Sequence, residues 1–308
     1  MNPLARILTA VDSSDSGRVA FDHALALSRT HNAELTIVHA VPDVRSLERQ
    51  PHERVATIQA RREAAEAAGI RYKIAVRHGD PAGVVLRHAR ARRPDLIVLS
   101  DHKRSGFDRF RFGSVAEKVT LRATQPVLIV PGPESADDVK SESALPFDNI
   151  LVAVDFSDVS SAAVDRALSM ANPNSRITLL HVVPGIPLAH VSRYSYHLHE
   201  AEYRRLLARD ARRRLQDTAA KAAKSSGRIH TRVATGDPST EIVRVAADIE
   251  ADVIVLGVTS RGAIGRRVVP STAVRVIRTA GRPVLAIPEI ADKGSVHVSE
   301  QDQSVFAA

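Results

Sequence analysis

The stretch Ile7-Leu-Thr-Ala-Val-Asp12 is written a second time as Ile150-Leu-Val-Ala-Val-Asp155, an offset of 143 residues from Asp12 to Asp155. A short run of Ile, Leu and Val that ends on a carboxylate is the pattern of a buried strand delivering an acidic side chain to a loop. Its recurrence marks a tandem duplication, which has to be recognised before any single motif is weighed. The rest of the two halves aligns around it. His39-Ala-Val-Pro42 returns as His181-Val-Val-Pro184 at an offset of 142. After an insertion in the second half the offset becomes 157, pairing Gly79-Asp80-Pro81 with Gly236-Asp237-Pro238 and Asp95-Leu-Ile-Val-Leu-Ser100 with Asp252-Val-Ile-Val-Leu-Gly257. The closing runs Pro126-Val-Leu-Ile-Val-Pro131 and Pro283-Val-Leu-Ala-Ile-Pro288 match as well.

Each half alternates short apolar runs with helical patterns. In the first half Arg6 to Asp12, Ala33 to Val41, Arg71 to Arg77, Asp95 to Ser100 and Pro126 to Val130 read as strands. Between them, Ala20, Ala24 and Leu27 keep one helical face, as do Ala163, Ala167 and Met170. Asp80-Pro81 and Asp237-Pro238 read as an N-cap followed by the proline that the first helical turn tolerates. Strands apolar throughout and separated by helices imply a parallel sheet covered on both faces. The expected architecture is therefore α/β: two tandem doubly wound domains, each a five-stranded parallel sheet, related by approximate two-fold symmetry. The boundaries expected are 1–132 for the first domain, 133–147 for a Ser-, Pro- and acid-rich linker, 148–288 for the second domain, and 289–308 for a polar tail. The Arg-rich stretch Tyr194 to Ser226 accounts for the insertion as an extra-long helix, its arginines forming a solvated face.

Composition narrows the function classes. The 308 residues suit two domains. With no cysteine, disulfides, thiolate nucleophiles and cysteine metal sites are excluded, and the cytoplasm is the expected compartment. The start of the chain lacks a cationic segment followed by a long apolar one, and no apolar run approaches a membrane span, so no membrane association is expected. A formal charge of +8, from 43 Lys+Arg against 35 Asp+Glu, favours anionic partners. Aromatic residues at 4% with no Trp make nucleic acid a weak candidate, because single-strand binders need stacking platforms.

In an open parallel sheet, ligands bind beyond the carboxyl ends of strands where the strand order reverses. That rule selects the loops after Asp12 and Asp155, and those beginning at Ser100 and Gly257, each followed by a helix start at Ser114 or Ser271. A helix N-terminus with Gly-Ser offers unpaired N–H groups and a hydroxyl, the chemistry of phosphate binding. Residue by residue the bland reading stands beside this one: Asp12 and Asp155 as loop caps, Val41 and Val183 as buried strand ends, and Gly113-Ser114 as a helix cap. His39 and His181, at equivalent strand positions, read as satisfied structural histidines.

The stretch Ser100-Asp-His-Lys-Arg-Ser-Gly-Phe-Asp-Arg-Phe-Arg-Phe-Gly113-Ser114-Val-Ala-Glu-Lys-Val119, followed by Pro126-Val-Leu-Ile-Val130, resembles the signature of the universal stress protein family. The likeness covers both halves, including the Val-Asp after the first strand and the His-x-Val-Pro after the second. In members that bind ATP the signature is a glycine, two residues, a second glycine, nine residues, then Gly followed by Ser or Thr. Here those positions are Ser100, Lys103, Gly113 and Ser114 in the first half and Gly257, Ser260, Pro270 and Ser271 in the second. A Cβ at a glycine position limits close backbone approach to phosphate, and Pro270 lacks an N–H, a lost donor being worth about 1–3 kcal/mol.

The resemblance implies Asp12 and Asp155 on the adenine-ribose side and backbone contacts from Val41 and Val183 to the base. It further implies nucleotide contacts from Ala10, Val11, Ser100, Lys103, Gly113, Ser114, Val115, Gly257, Ser260 and Ser271. The ligand implied is ATP or a related adenine nucleotide, with Mg accompanying it. The final strands of the two domains are expected to pair as in family dimers, giving an intrachain pseudo-dimer, with a homodimer as the next level of assembly. The first half is expected to bind more tightly, because Gly113-Ser114 keeps its N–H donors and Lys103 offers an ammonium.

No catalytic constellation stands out. Gly257 and Gly262 have Walker A spacing, but Ala263 stands where the motif needs Lys. No Gly-x-Gly-x-x-Gly follows a first strand, and neither Gly-x-Ser-x-Gly nor His-Glu-x-x-His occurs. The scattered histidines, His197 and His199 included, give no metal pair. The expectation is a stress-response regulator that senses an adenine nucleotide and is not an enzyme, slow ATP hydrolysis apart. The alternative is a nucleotide-independent stress scaffold or partner-binding protein, and nucleic-acid binding, on charge alone, comes third.

Overall fold

The structure is a computed structural model that describes residues 4–42, 51–101, 113–132, 147–185, 197–223, 228–259 and 272–289. In the first half the elements run β1 (Arg6–Ala10), α1 (Asp15–His31), β2 (Glu34–Val41), α2 (Pro51–Ala67), β3 (Tyr72–His78), α3 (Pro81–Arg92), β4 (Leu96–Asp101), α4 (Ser114–Arg122) and β5 (Val127–Pro131). The second half repeats the order with β6 (Asn149–Ala153), α5 (Asp158–Met170), β7 (Arg176–Pro184), α6 (His197–Ala222), β8 (Ile229–Gly236), α7 (Pro238–Asp248), β9 (Val253–Val258), α8 (Thr272–Thr279) and β10 (Val284–Pro288). The 26-residue α6 is nine residues longer than the 17-residue α2 and so carries most of the 15-residue insertion expected from the change of offset.

The strand order is β3-β2-β1-β4-β5-β10-β9-β6-β7-β8. Within each half all pairings are parallel, and β1 lies between β2 and β4, just as β6 lies between β7 and β9. The two five-stranded sheets are not separate bodies. β5 and β10 pair antiparallel, Val284 with Ile129, Leu285 with Leu128 and Ala286 with Val127, so one ten-stranded sheet crosses the molecule. An antiparallel join is what a two-fold axis between identical edge strands requires, because rotation reverses the strand direction.

Both faces of this sheet are buried under helices, and the core on each face draws residues from both halves. One face holds Leu8, Val38, Ile97 and Val119 with Ile254, Leu256 and Val276; the other holds Ile7, Phe21, Leu35 and Leu128 with Ile150, Leu179 and Leu285. The inward faces of α1 and α5 are the ones read from sequence: Ala20, Ala24 and Leu27 are buried, as are Ala163, Ala167 and Met170. Repeated polar clasps start the strands. Asp95 Oδ2 accepts the N–H groups of Ala5 and Arg6, both at 2.9 Å, and Asp252 Oδ2 accepts those of Asp148 and Asn149 at 2.8 and 2.7 Å. The two Asp-Pro helix starts form as expected, with the Asp80 carboxylate accepting from Gly83 N–H and that of Asp237 from Thr240 N–H, each at 3.0 Å.

The first strand is shorter than its apolar run. β1 ends at Ala10; the Val11 N–H still donates to the Val38 carbonyl at 2.9 Å, and Asp12 beyond it accepts from Ser14 at the start of α1. The segment expected as a linker lies, apart from Phe147, outside the described residues, as does the tail beyond Glu289.

The candidate ligand cavity of the first half

β1, β2 and β4 end side by side at the point where the strand order reverses, and a cavity of about 310 Å³ opens there. This is where the topology of an open α/β sheet leaves a crevice, since the crossover helices leave in opposite directions. Ala10, Val11, Ala40, Val41, Leu99 and Val115 give it apolar walls, and Asp12, Ser13, His39 and Ser100 supply its polar groups. Of the residues singled out from sequence, Ala10, Val11, Asp12, Val41, Ser100 and Val115 are thus brought together. Val41 is buried at the end of β2 and its carbonyl accepts the Gly79 N–H at 3.0 Å.

Asp12 sits in a tight local network. Its Oδ1 accepts the Ser14 N–H at 3.1 Å and the Ser14 hydroxyl at 2.5 Å, while the same hydroxyl accepts the Gly17 N–H at 3.0 Å and caps α1. A Cβ at position 17 would overlap the Asp12 carboxylate, so glycine is what lets α1 begin against it. The cap and the cavity wall are therefore one structure, and the two readings of Asp12 do not compete.

The second copy uses the same devices differently. Asp155 Oδ1 accepts from the Ser157 N–H and hydroxyl at 3.0 and 2.5 Å. Partial burial pushes the Asp155 carboxyl up, but these bonds, with that of Ser160, outweigh it and hold the group below the usual carboxylate value. Where Ser13 lines the first cavity the second half has Phe156, with its backbone in the left-handed region at φ 65°. Its ring lies 4.5 Å from that of His181, and the Arg214 guanidinium of α6 stands 4.0 Å from its centroid. A stack of this kind compensates the cost of a bulky residue at positive φ. Val183 is buried at the end of β7, as expected.

His39 and His181 have the structural role read from their recurrence. Nδ1 of His39 lies 2.9 Å from the Val11 carbonyl, and Nδ1 of His181 lies 2.7 Å from that of Val154. A carbonyl only accepts, so Nδ1 carries the proton in both rings. Each ring ties the end of the second strand to the loop after the first.

One expectation needs correction. Gly113 is the N-cap of α4, but its N–H is not an open phosphate donor: it donates to Asp101 Oδ1 at 3.1 Å. Asp101, the last residue of β4 and only 6% exposed, is the residue sequence reasoning missed. It lies inside the quoted signature stretch, but twelve residues separate it from Gly113 and only the fold joins them. Gly257, in turn, is a packing glycine: a Cβ there would come 2.7 Å from Val159 Cγ1. Ser114 begins α4 beside the cavity, whereas Lys103, Ser260, Pro270 and Ser271 lie outside the described residues.

The apolar walls and the Asp12 carboxylate fit the base and ribose of the adenine nucleotide that the sequence implies, whereas residues 102–112, which connect β4 to α4, lie outside the described residues. Among the described residues no three His, Asp or Glu side chains gather as a metal site. None of the helices among the described residues is long and apolar enough to cross a membrane.

Comparison with known proteins agrees with this architecture. Residues 4–131 and 146–288 each match the model of the universal stress protein family. Universal stress protein YxiE of Bacillus subtilis is 31% identical over 144 residues, 41% of this chain and 97% of its own length. Universal stress protein G of Escherichia coli O157:H7 is 32% identical over 133 residues, 42% of this chain and 89% of its own. The crystal structure of a universal stress protein from Archaeoglobus fulgidus superimposes with a TM-score of 0.69 at 18% identity, covering 93% of this chain and 97% of that one. Two consecutive family matches, together spanning nearly every described strand and helix, place this chain in the universal stress protein family.

Proposed function

We propose that the protein is a stress-response regulator that senses an adenine-containing ligand through the cavity of its first half. The observation that carries this reading is the convergence of Asp12 and Val41, which the family resemblance puts on the ribose and base, with the signature residue Ser100 on one crevice at the strand-order reversal. Apolar walls suit a purine face, and the Asp12 carboxylate is an acceptor of the kind a ribose hydroxyl needs. The role in this reading is binding, with no dedicated side-chain base for turnover. The β5–β10 pairing takes up within the chain the edge through which one-domain family members would dimerise, so a homodimer of this chain is not needed to complete the sheet.

The alternative, a scaffold that works without nucleotide, is favoured for the second half by the Phe156 stack on His181 and Arg214. The two readings separate on ligand content. Acid extraction of the purified protein should release an adenine compound, and Ala40→Phe, which projects a ring into the cavity, should abolish its retention. An extract without adenine, and no retention of added adenosine, would favour the scaffold.

A further inference from the structure

β8 is the last strand of the ten-stranded sheet, and its outer edge is open. In a parallel pair, alternate residues of a strand bond to the neighbour, and the residues between them point their N–H and C=O groups the other way. The Ile177 N–H donates to the Arg228 carbonyl at 2.9 Å and the Gly185 N–H to that of Gly236 at 3.4 Å, so the even-numbered residues of β8 face β7. Ile229, Thr231, Val233 and Thr235 therefore present their backbone groups outward, and among the described residues no hydrogen bond reaches them. All four are β-branched and β8 contains no proline, so nothing in the strand itself interrupts pairing. The other end of the sheet is guarded. By the same alternation Tyr72, Ile74, Val76 and His78 of β3 point outward, but there the Arg77 guanidinium turns back and donates to the Val76 carbonyl at 2.9 Å. An occupied carbonyl with a cation held beside it is one of the ways in which edge strands refuse a partner.

The two faces of the β8 edge differ. Ile229 and Val233 pack against the core that α6 covers with Leu215 and Ala222, whereas Arg232, on the other face, meets Asp248 of α7 at 2.9 Å. No carboxylate lies between Arg228 and Gly236, and Arg244 shares Asp248 with Arg232, so the α7 side carries more cations, Arg228, Arg232 and Arg244, than acids, Glu241 and Asp248. We propose that the β8 edge is a docking site for an extended segment of a partner protein, which adds to the sheet as a further strand with β-branched residues on the α6 side and carboxylates on the α7 side. The main-chain bonds supply affinity, and the alternation of side chains selects the segment. A second copy of this chain is the poorer occupant, because its own β8 brings Arg228 and Arg232 and no acid, and like charges set opposite one another destabilise a strand pair. This docking is independent of the adenine reading, since no residue lining the first-half cavity takes part in it.

The probe is a short synthetic peptide with blocked termini that alternates Val and Glu, its binding to the full chain read by fluorescence anisotropy. It should bind at least tenfold tighter than the same peptide with Lys in place of Glu, and N-methylation of its alternate backbone nitrogens should abolish binding. Val233→Pro removes an outward N–H that takes no part in the β7 ladder, so it should leave the circular dichroism unchanged and weaken binding at least tenfold. On the unmodified chain the peptide should slow amide hydrogen exchange at Thr231, Val233 and Thr235 and leave Tyr72, Ile74 and Val76 as they were, a readout that stands even if Val233→Pro does not fold. Equal binding of the Glu and Lys peptides, binding of neither, an affinity that a folded Val233→Pro leaves unchanged, or protection at β3 in place of β8 would each overturn the proposal. So would sedimentation showing a dimer whose β8 amides are protected without peptide, which would give the edge to a second copy.

Discussion

Gly257 and Ser100 occupy equivalent places in the repeat, and so do Val159 and Ser16. The second half combines no side chain on the strand with a branched one on the helix, and the first half has a small side chain at each. A Cβ on Gly257 would sit 2.7 Å from Val159 Cγ1, and valine has no flexible end to move aside. Gly257→Ala should therefore destabilise the protein by about 1–3 kcal/mol in urea unfolding, the range for overpacking a close-packed site. Val159→Ser, which installs the first-half residue, should remove most of that penalty in a double-mutant cycle. Additive effects of the two changes would refute the packing explanation. Sequence alone does not tell the uses of this glycine apart, because an absent side chain looks the same whether it makes room for a phosphate or for a neighbouring methyl. Asp12 was legible, since it ends an apolar run at a repeated position. Asp101 was not, because its partner Gly113 is remote in sequence and an acidic residue after a strand has many uses.

At the scale of elements, α1 shows how the wall of a candidate ligand cavity and a structural support share one helix. Its N-terminus carries Ser14 and Gly17 against Asp12, and further along it the His23 Nδ1 lies 3.0 Å from the Val19 carbonyl. Burial lowers the His23 pKa from its ordinary 6.5, although the Val19 carbonyl and Asp22 act in the opposite direction. A base with a depressed folded-state pKa contributes stability that is complete above 6.5 and is lost as pH falls through that value towards the folded one, because the unfolded chain takes up the proton first. Denaturation midpoints measured between pH 7.5 and 5 should fall towards acid, and His23→Gln should flatten that limb. An unchanged slope in the variant would assign the acid sensitivity elsewhere. The elements themselves were largely readable, since parallel strands buried on both faces print as Val, Ile and Leu runs and Asp-Pro marks the start of α3 and α7. The ends were less readable: the apolar run continues through Val11 to Asp12, but β1 stops at Ala10 and Asp12 already belongs to the cap of α1.

Over the whole molecule, duplication has produced a symmetric sheet carrying unlike sites. The β5–β10 join and the shared cores bind the halves, and the Arg278–Glu117 pair, 3.2 Å apart, links α8 to α4 across the join. The symmetry was visible in the repeat and the pairing of the final strands followed from family resemblance, whereas the antiparallel direction of the join and the single continuous sheet that it makes are seen only in the structure. The divergence between the halves was only partly visible. The sequence argument for asymmetry relied on the Gly113 N–H and Pro270; the described residues supply a different basis, an open cavity beside Ser13 in one half and the Phe156 stack in the other. Calorimetric titration of the full chain with adenosine, read for stoichiometry, tests this most directly. One site per chain should be found, lost in Ala40→Phe and retained when Phe156 is replaced by Ser. Two equivalent sites per chain, or a single site that survives Ala40→Phe, would contradict the assignment of binding to the first half.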